Sequence, residues 1–249
     1  MNTQFYRRLT GALFVIGAVL VNIPYTLLIM NFEYPDILRE PTGYILTKFQ
    51  EGGTGLIFTW LAFAWAGMPL LIAIVMLQKT LGREYPPYLW FGTVAGIIGG
   101  VAQVTGLLRW TFVVPILART YTDPSASEIS RESAVIAFQT VHQYGGVVIG
   151  EHIGQLFSIL WMFIISLAIL KAGIFHRWLA WFGFLASGVY LLAQTELLET
   201  AIPDFPVVPE AGLIGSLLWL IWMIALGVFL MRSTTSAAQQ SAISIAGGG

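Results

Sequence analysis

A six-helix, all-α transmembrane bundle is predicted by three properties of this chain: its apolar composition, the length of its apolar runs, and the shortness of the polar segments between them. Of its 249 residues 57% are hydrophobic and 10% charged, with a mean hydropathy of +0.77. A soluble domain carries about 25% charged residues, so this composition belongs in a bilayer. A span needs about 20 mostly apolar residues. Such runs occur at Leu9 to Met30, Gly53 to Leu77, Tyr88 to Ala118, Gly146 to Leu170, Trp178 to Thr195 and Gly212 to Met231. Backbone groups in lipid must be satisfied within their own segment, and these runs are too long and too uniformly apolar for barrel strands. The economical organisation is one membrane domain over residues 1–232, followed by a disordered cytoplasmic tail at 233–249 rich in Ser, Thr, Ala, Gln and Gly.

The first run follows Arg7 and Arg8 and continues past Val21 to Met30 without a small-residue cleavage site, so it is a retained helix rather than a removed signal. Its Asn22 and Pro24 predict a kink with a polar patch. Sidedness follows from the basic residues. Arg7, Arg8, Lys79, Arg83, Lys171, Arg177 and Arg232 fall on one side, against Arg39, Lys48, Arg119 and Arg131 on the other. Seven against four places both termini in the cytoplasm, in what would be a bacterial inner membrane. Tyr6, Tyr85, Tyr88, Trp90, Trp178 and Trp181 would form the inner aromatic belt.

In that orientation twelve of the thirteen carboxylates lie outside, Glu84 being the exception. Two outer loops are long enough to hold short amphipathic helices: Asn31 to Gly52, and Tyr121 to Gly145, where Ser127 or Ser130 would begin one through Ala134, Phe138 and Val141. The third, Ile202 to Ala211, carries Pro203, Pro206 and Pro209 and should be extended.

Helix three aligns Gly92, Gly96, Gly99, Gln103 and Gly106 at alternating four- and three-residue steps, and helix four aligns Gly146, Gly150 and Gly154. Small-residue stripes let helix backbones approach closely, which matters where lipid supplies little drive for association. They serve packing within the chain, with homo-oligomer contact as the alternative.

Arg109 is the ionisable residue set deepest, since Trp110 to Ala118 beyond it carry no charge. An unpaired guanidinium there costs at least ~2.5 kcal/mol on insertion scales, so a carboxylate partner is expected from Glu51, Glu151, Glu196 or Glu199. Glu151, His152 and Gln155 open helix four. Glu196 and Glu199 close helix five, where the helix dipole disfavours negative charge and a counter-cation is expected. With His142 these residues form the candidate ligand-binding set: Arg109, Glu151, His152, Gln155, Glu196, Glu199, Glu51 and His142. Two readings compete with a ligand site: a purely structural Arg–Glu pair, and an enzyme using glutamate and histidine in acid–base or metal-assisted chemistry.

Imidazole and carboxylate would suit zinc or manganese, but the spacing is unspecific, there is no HExxH, and His176 falls on the inner side, so three histidines cannot meet on one face. His142 and His152 would lie about 15 Å apart along one helix and cannot grip opposite faces of one haem. No metal is assigned, and cofactor and catalytic residues stay open. A net charge of -1 without a Lys/Arg cluster argues against nucleic acid. The expected partners are the bilayer and a small-molecule or lipid ligand. The absence of cysteine excludes disulfides and thiolate chemistry.

Two stretches, Arg8-Leu-Thr-Gly-Ala-Leu-Phe-Val-Ile-Gly and Phe175-His-Arg-Trp-Leu-Ala-Trp-Phe-Gly, resemble a bacterial multi-pass family known only as domain of unknown function 4386. The placement of Arg109 is similar to that of an arginine of that family. The resemblance implies a six-helix membrane protein and supplies no activity. The function expected is therefore binding of a small ligand, ion or lipid headgroup in an outward-facing polar cavity, as in a transporter or sensor. An accessory role, with outer loops that dock a partner, is the further alternative.

Overall fold

The computed structural model describes residues 3–80, 88–173 and 175–232. Arg83, Glu84, Tyr85 and the tail beyond Arg232 lie outside the described residues. Among the described residues every regular element is helical: α1 Thr3–Phe32, a 3-10 turn Asp36–Arg39, α2 Thr42–Ala66, α3 Met68–Thr80, α4 Tyr88–Phe112 and α5 Val114–Thr122, then α6 Glu128–Val141, a π-helical segment His142–Ile153, α7 Gly154–Ala172, α8 Arg177–Leu192, α9 Gln194–Glu199 and α10 Ala211–Arg232. Five helical stretches are long and apolar enough to cross a membrane. The sixth traverse is α8, extended by α9 after a break at Ala193.

The traverses close into a ring. α1 packs on α10 and on α2 and α3, these on α4, α4 on α7, α7 on α8, and α8 on α10. Large apolar side chains such as Phe58, Phe91, Val101, Leu185 and Ile221 are exposed around the ring, as expected where lipid is the solvent.

Several helices differ from the runs read off the sequence, and each difference has a local cause. α2 turns sharply at Gly53, whose φ of 55° and ψ of -149° are open to glycine and strained for other residues. The part before it becomes a short helix at the bundle end. The expected third helix, Tyr88 to Ala118, breaks at Val113, because Pro115 has no N–H to continue the ladder. The fourth begins at Glu128 rather than Gly146: Ser127 caps α6 by accepting a bond from the Ser130 N–H, and the helix runs unbroken into α7 over 44 residues, Glu128–Lys171. At 1.5 Å per residue its α-helical parts alone exceed the roughly 30 Å hydrocarbon core, so the stretch is longer than one traverse needs. Pro24, by contrast, lies within an uninterrupted α1. Asn22 donates to Ala18 O (2.8 Å) and Thr26 to Asn22 O (2.8 Å), so the polar groups next to the proline are satisfied within the helix.

The two glycine stripes face each other inside one chain. A Cβ at Gly106 would fall 2.5 Å from the Gly150 Cα, and one at Gly99 would meet the Ser158 backbone N at 2.9 Å, so α4 touches the π segment and the start of α7 backbone to backbone. Two large apolar clusters result, beside a small one at Ile159, Tyr190, Ala193 and Ala211. One lies toward the chain termini and is built on Phe14, Ile74, Trp161, Met162, Trp222 and Leu226. The other lies at the end carrying the long loops, hereafter the loop end, and is built on Phe32, Phe49, Trp60, Trp110 and Phe138. In it the Trp60 and Trp110 rings stack at 4.8 Å with an interplanar angle of 10°.

Candidate functional site at the loop end

Arg109 is positioned by α4, one helical step beyond Gly106, and is only 8% exposed. Its Nη1 donates to Gly106 O, its guanidinium lies 5.2 Å from the Trp110 ring centroid, and its Nε has no hydrogen-bond partner. The guanidinium fits because the π segment presents glycine there: a Cβ at Gly146 would lie 2.5 Å from Nη2 and 2.6 Å from Cζ. Among the described residues no carboxylate lies within ion-pair distance of it. Glu151 is the acidic group whose field reaches it most strongly, across a gap longer than a salt bridge.

Glu151 is held instead by Arg39, from the 3-10 turn between α1 and α2. Arg39 Nη2 lies 3.0 Å from Glu196 Oε1 and 3.5 Å from Glu151 Oε2. The cation that offsets Glu196 at the end of the fifth traverse is thus a loop arginine. All three side chains are partly exposed, so the bridge closes the site at its solvent edge more than it stabilises the fold.

Beneath this bridge runs a side-chain relay. Gln194 Nε2 donates to Gln155 Oε1 at 2.7 Å, which leaves Gln194 Oε1 to accept from His152 Nδ1 at 2.6 Å. That arrangement assigns the His152 proton to Nδ1 and makes Nε2 the ring's acceptor when neutral.

Three phenols complete the surroundings. Tyr25 and Tyr34 meet edge to face at 5.5 Å. Burial, and after it the nearby Glu151 carboxylate, raises the Tyr34 phenol well above its ordinary value, while Arg109 acts in the opposite sense. Tyr190, on α8 one turn before Gln194, also lies within the field of Glu151. Among the described residues none of these three hydroxyls hydrogen-bonds to the protein.

Of the candidate residues, Glu151, His152, Gln155 and Glu196 therefore share one cluster with Arg109 at its back. Glu51 and Glu199 are exposed and make no ion pair among the described residues. His142 is half-buried one turn beyond Phe138, its ring stacked on that phenylalanine at 5.2 Å and edge-on to Trp110 at 6.1 Å. Among the described residues no three His, Asp or Glu side chains converge on a metal-sized space.

Arg39, Tyr34, Tyr190 and Gln194 border the candidate site and were not among the candidate residues read from the sequence, and Gly146 was read there only as part of a packing stripe. The legible signal was Gln194, a polar side chain one turn after Tyr190 inside an apolar run. Arg39 sits in a loop, and no sequence spacing foretells where a loop residue folds back.

No curated protein and no solved structure matches the chain. A family model does: it covers residues 9–227, from the first traverse to the last. By that match the chain belongs to the family described as domain of unknown function DUF4386.

Proposed function

We propose that this integral membrane protein binds a small anionic ligand at the loop end of its bundle, with Arg109 as the seat. The reading rests on one observation: a buried arginine keeps an unpartnered Nε and has no carboxylate within ion-pair distance among the described residues. Charge next to hydrocarbon is costly and is kept mainly for function. A structural pair would have brought Glu151 or Glu196 onto the guanidinium, and both carboxylates instead turn to Arg39. Carboxylate and phosphate match the planar donor fork of arginine. The glutamine relay and the three phenols supply neutral hydrogen-bonding groups for the rest of the ligand. The excess of Lys and Arg at the terminal end supports an orientation in which both termini are cytoplasmic and the site faces outward. A role in transport or sensing follows from a site so placed.

The test is calorimetric titration of the purified protein with acetate and with phosphate, alongside Arg109→Gln. Loss of a charge-assisted bond predicts at least a roughly tenfold weaker affinity in the variant. Equal affinity in the two proteins would remove Arg109 from the site and with it this function.

A further inference from the structure

The centre of the ring is not filled along its whole length. Trp161, stacked on Phe14 at 5.9 Å and edge-on to Trp222 at 5.6 Å, plugs it in the terminal half. On the loop-end side of that plug lies a cavity of about 110 Å³, contributed to by α1, α2, α3, α4, α7 and α10. Its walls are mostly apolar, among them Val21, Leu71, Val104 and Leu107; Gln103 and Ser158 line it too, as do Trp161 and Trp219, whose buried indole N–H groups have no partner among the described residues. Gln103 Nε2 donates to Ser158 Oγ at 3.1 Å and, at 3.4 Å, to Gly154 O, which ties the two side chains to the wall. Engineered apolar cavities of about 150 Å³ take up benzene, so the apolar side of this space, at Val21, Leu71, Val104 and Leu107, is of a size and lining that suits a stretch of hydrocarbon.

Two of the cavity's lining rings touch the groups of the polar site. Phe63 lies 6.1 Å from Tyr34 and 5.9 Å from Tyr25. Trp219 packs against the small cluster that contains Tyr190. Tyr34 in turn packs edge-on against Trp60 at 5.3 Å, Trp60 stacks on Trp110 at 4.8 Å, and the Arg109 guanidinium lies 5.2 Å from the Trp110 ring centroid. Aromatic rings thus run without a gap from the wall of the lumen, through Tyr34, to the buried guanidinium.

Building on the anion reading, we propose that the ligand is a single-chain amphiphile, with its carboxylate or phosphate at Arg109 and its hydrocarbon chain in the lumen above Trp161. The lumen volume accommodates part of one chain and not two. The surrounding bilayer is the natural reservoir of such molecules. Tyr25 and Tyr34 suit the junction of head and tail, because tyrosine offers an apolar ring to one side and a hydroxyl to the other.

Binding is measured on protein in phosphatidylcholine nanodiscs with four probes: oleate, oleoyl lysophosphatidate, oleyl alcohol and acetate. Oleate and the lysophosphatidate should each bind at least tenfold tighter than acetate and than the uncharged alcohol. Arg109→Gln should bring oleate down to the level of the alcohol. Val104→Phe, which fills the lumen away from the polar cluster, should bring oleate toward acetate and leave acetate binding unchanged. Leu71→Phe fills the same space from α3 and guards against a folding defect in one variant, which would show as loss of acetate binding too. Equal affinity for acetate and oleate, or oleate binding untouched by both fillers, overturns the amphiphile while the anion site stands. Failure of every anionic probe to bind the unaltered protein overturns both.

Discussion

The two halves of this bundle are built from the same apolar alphabet and come out differently. In the terminal half the helices are regular, the centre is closed by Trp161, Trp222 and Phe14, and the buried polar pair Thr10 and Thr80 is satisfied, each hydroxyl donating to its own helix while the two oxygens meet at 3.0 Å. In the loop-end half α2 turns at Gly53, α4 breaks at Val113, α6 passes into α7 through twelve residues of π-helix, and a guanidinium is buried without an ion pair. Irregular backbone next to hydrocarbon is tolerated where it is covered by protein or lines a polar space, and π segments gather at functional sites. The contrast is one between a half arranged for packing and a half arranged around a charge.

That contrast can be broken by substitution. Trp161→Ala in the terminal half removes the plug and should give the largest loss, about 3 kcal/mol, read by thermal unfolding in detergent; a loss under about 1 kcal/mol would mean that the plug does not hold the ring. Arg109→Met in the loop-end half should leave stability unchanged or raise it by about 1 kcal/mol, since an unpaired buried charge is replaced by an apolar chain of similar length. A loss as large as that of Trp161→Ala would make Arg109 a structural residue and erase the distinction between the halves. The smallest effect concerns the exposed Glu33, which accepts from Lys48 Nζ at 2.6 Å and from the Tyr44 hydroxyl at 2.8 Å. The lysine bond first, and the tyrosine bond after it, hold its carboxyl below the ordinary value of 4.5. A depressed folded-state value contributes stability above pH 4.5 that is lost as pH falls through the lowered value. Glu33→Gln should therefore lie slightly below the unaltered protein in midpoint temperature at pH 7, and the two should converge in acid. A gap that widens on acidification would contradict the assignment.

How much of this was legible depended on the kind of interaction. The Ser127 cap of α6 was readable because capping acts over three residues of chain, and the glycine stripes because helical periodicity puts their members on one face. The run from Gly146 was expected to start a helix because a change in hydropathy was read as an end, whereas the backbone ladder crosses that boundary unbroken. The partner expected for Arg109 was a carboxylate, on the premise that buried charges are paired. Depth along the helix is all that a hydropathy profile encodes, and depth alone left Glu151 and Glu196 as candidate partners. Which guanidinium they face is decided by the azimuth of each helix and by the path of the loop that returns Arg39 to the bundle.

By itself, then, the sequence determined the solvent and the secondary structure. Apolar runs of span length belong in lipid, and a backbone in lipid satisfies its hydrogen bonds only by coiling. The tertiary structure alone decided that the traverses close into a ring, that its lumen narrows at Trp161, and that Arg39 rather than Arg109 takes the two glutamates. Those outcomes rest on contacts between residues far apart in the chain, fixed by steric fit between helix faces, and that fit appears only once the backbones are brought together.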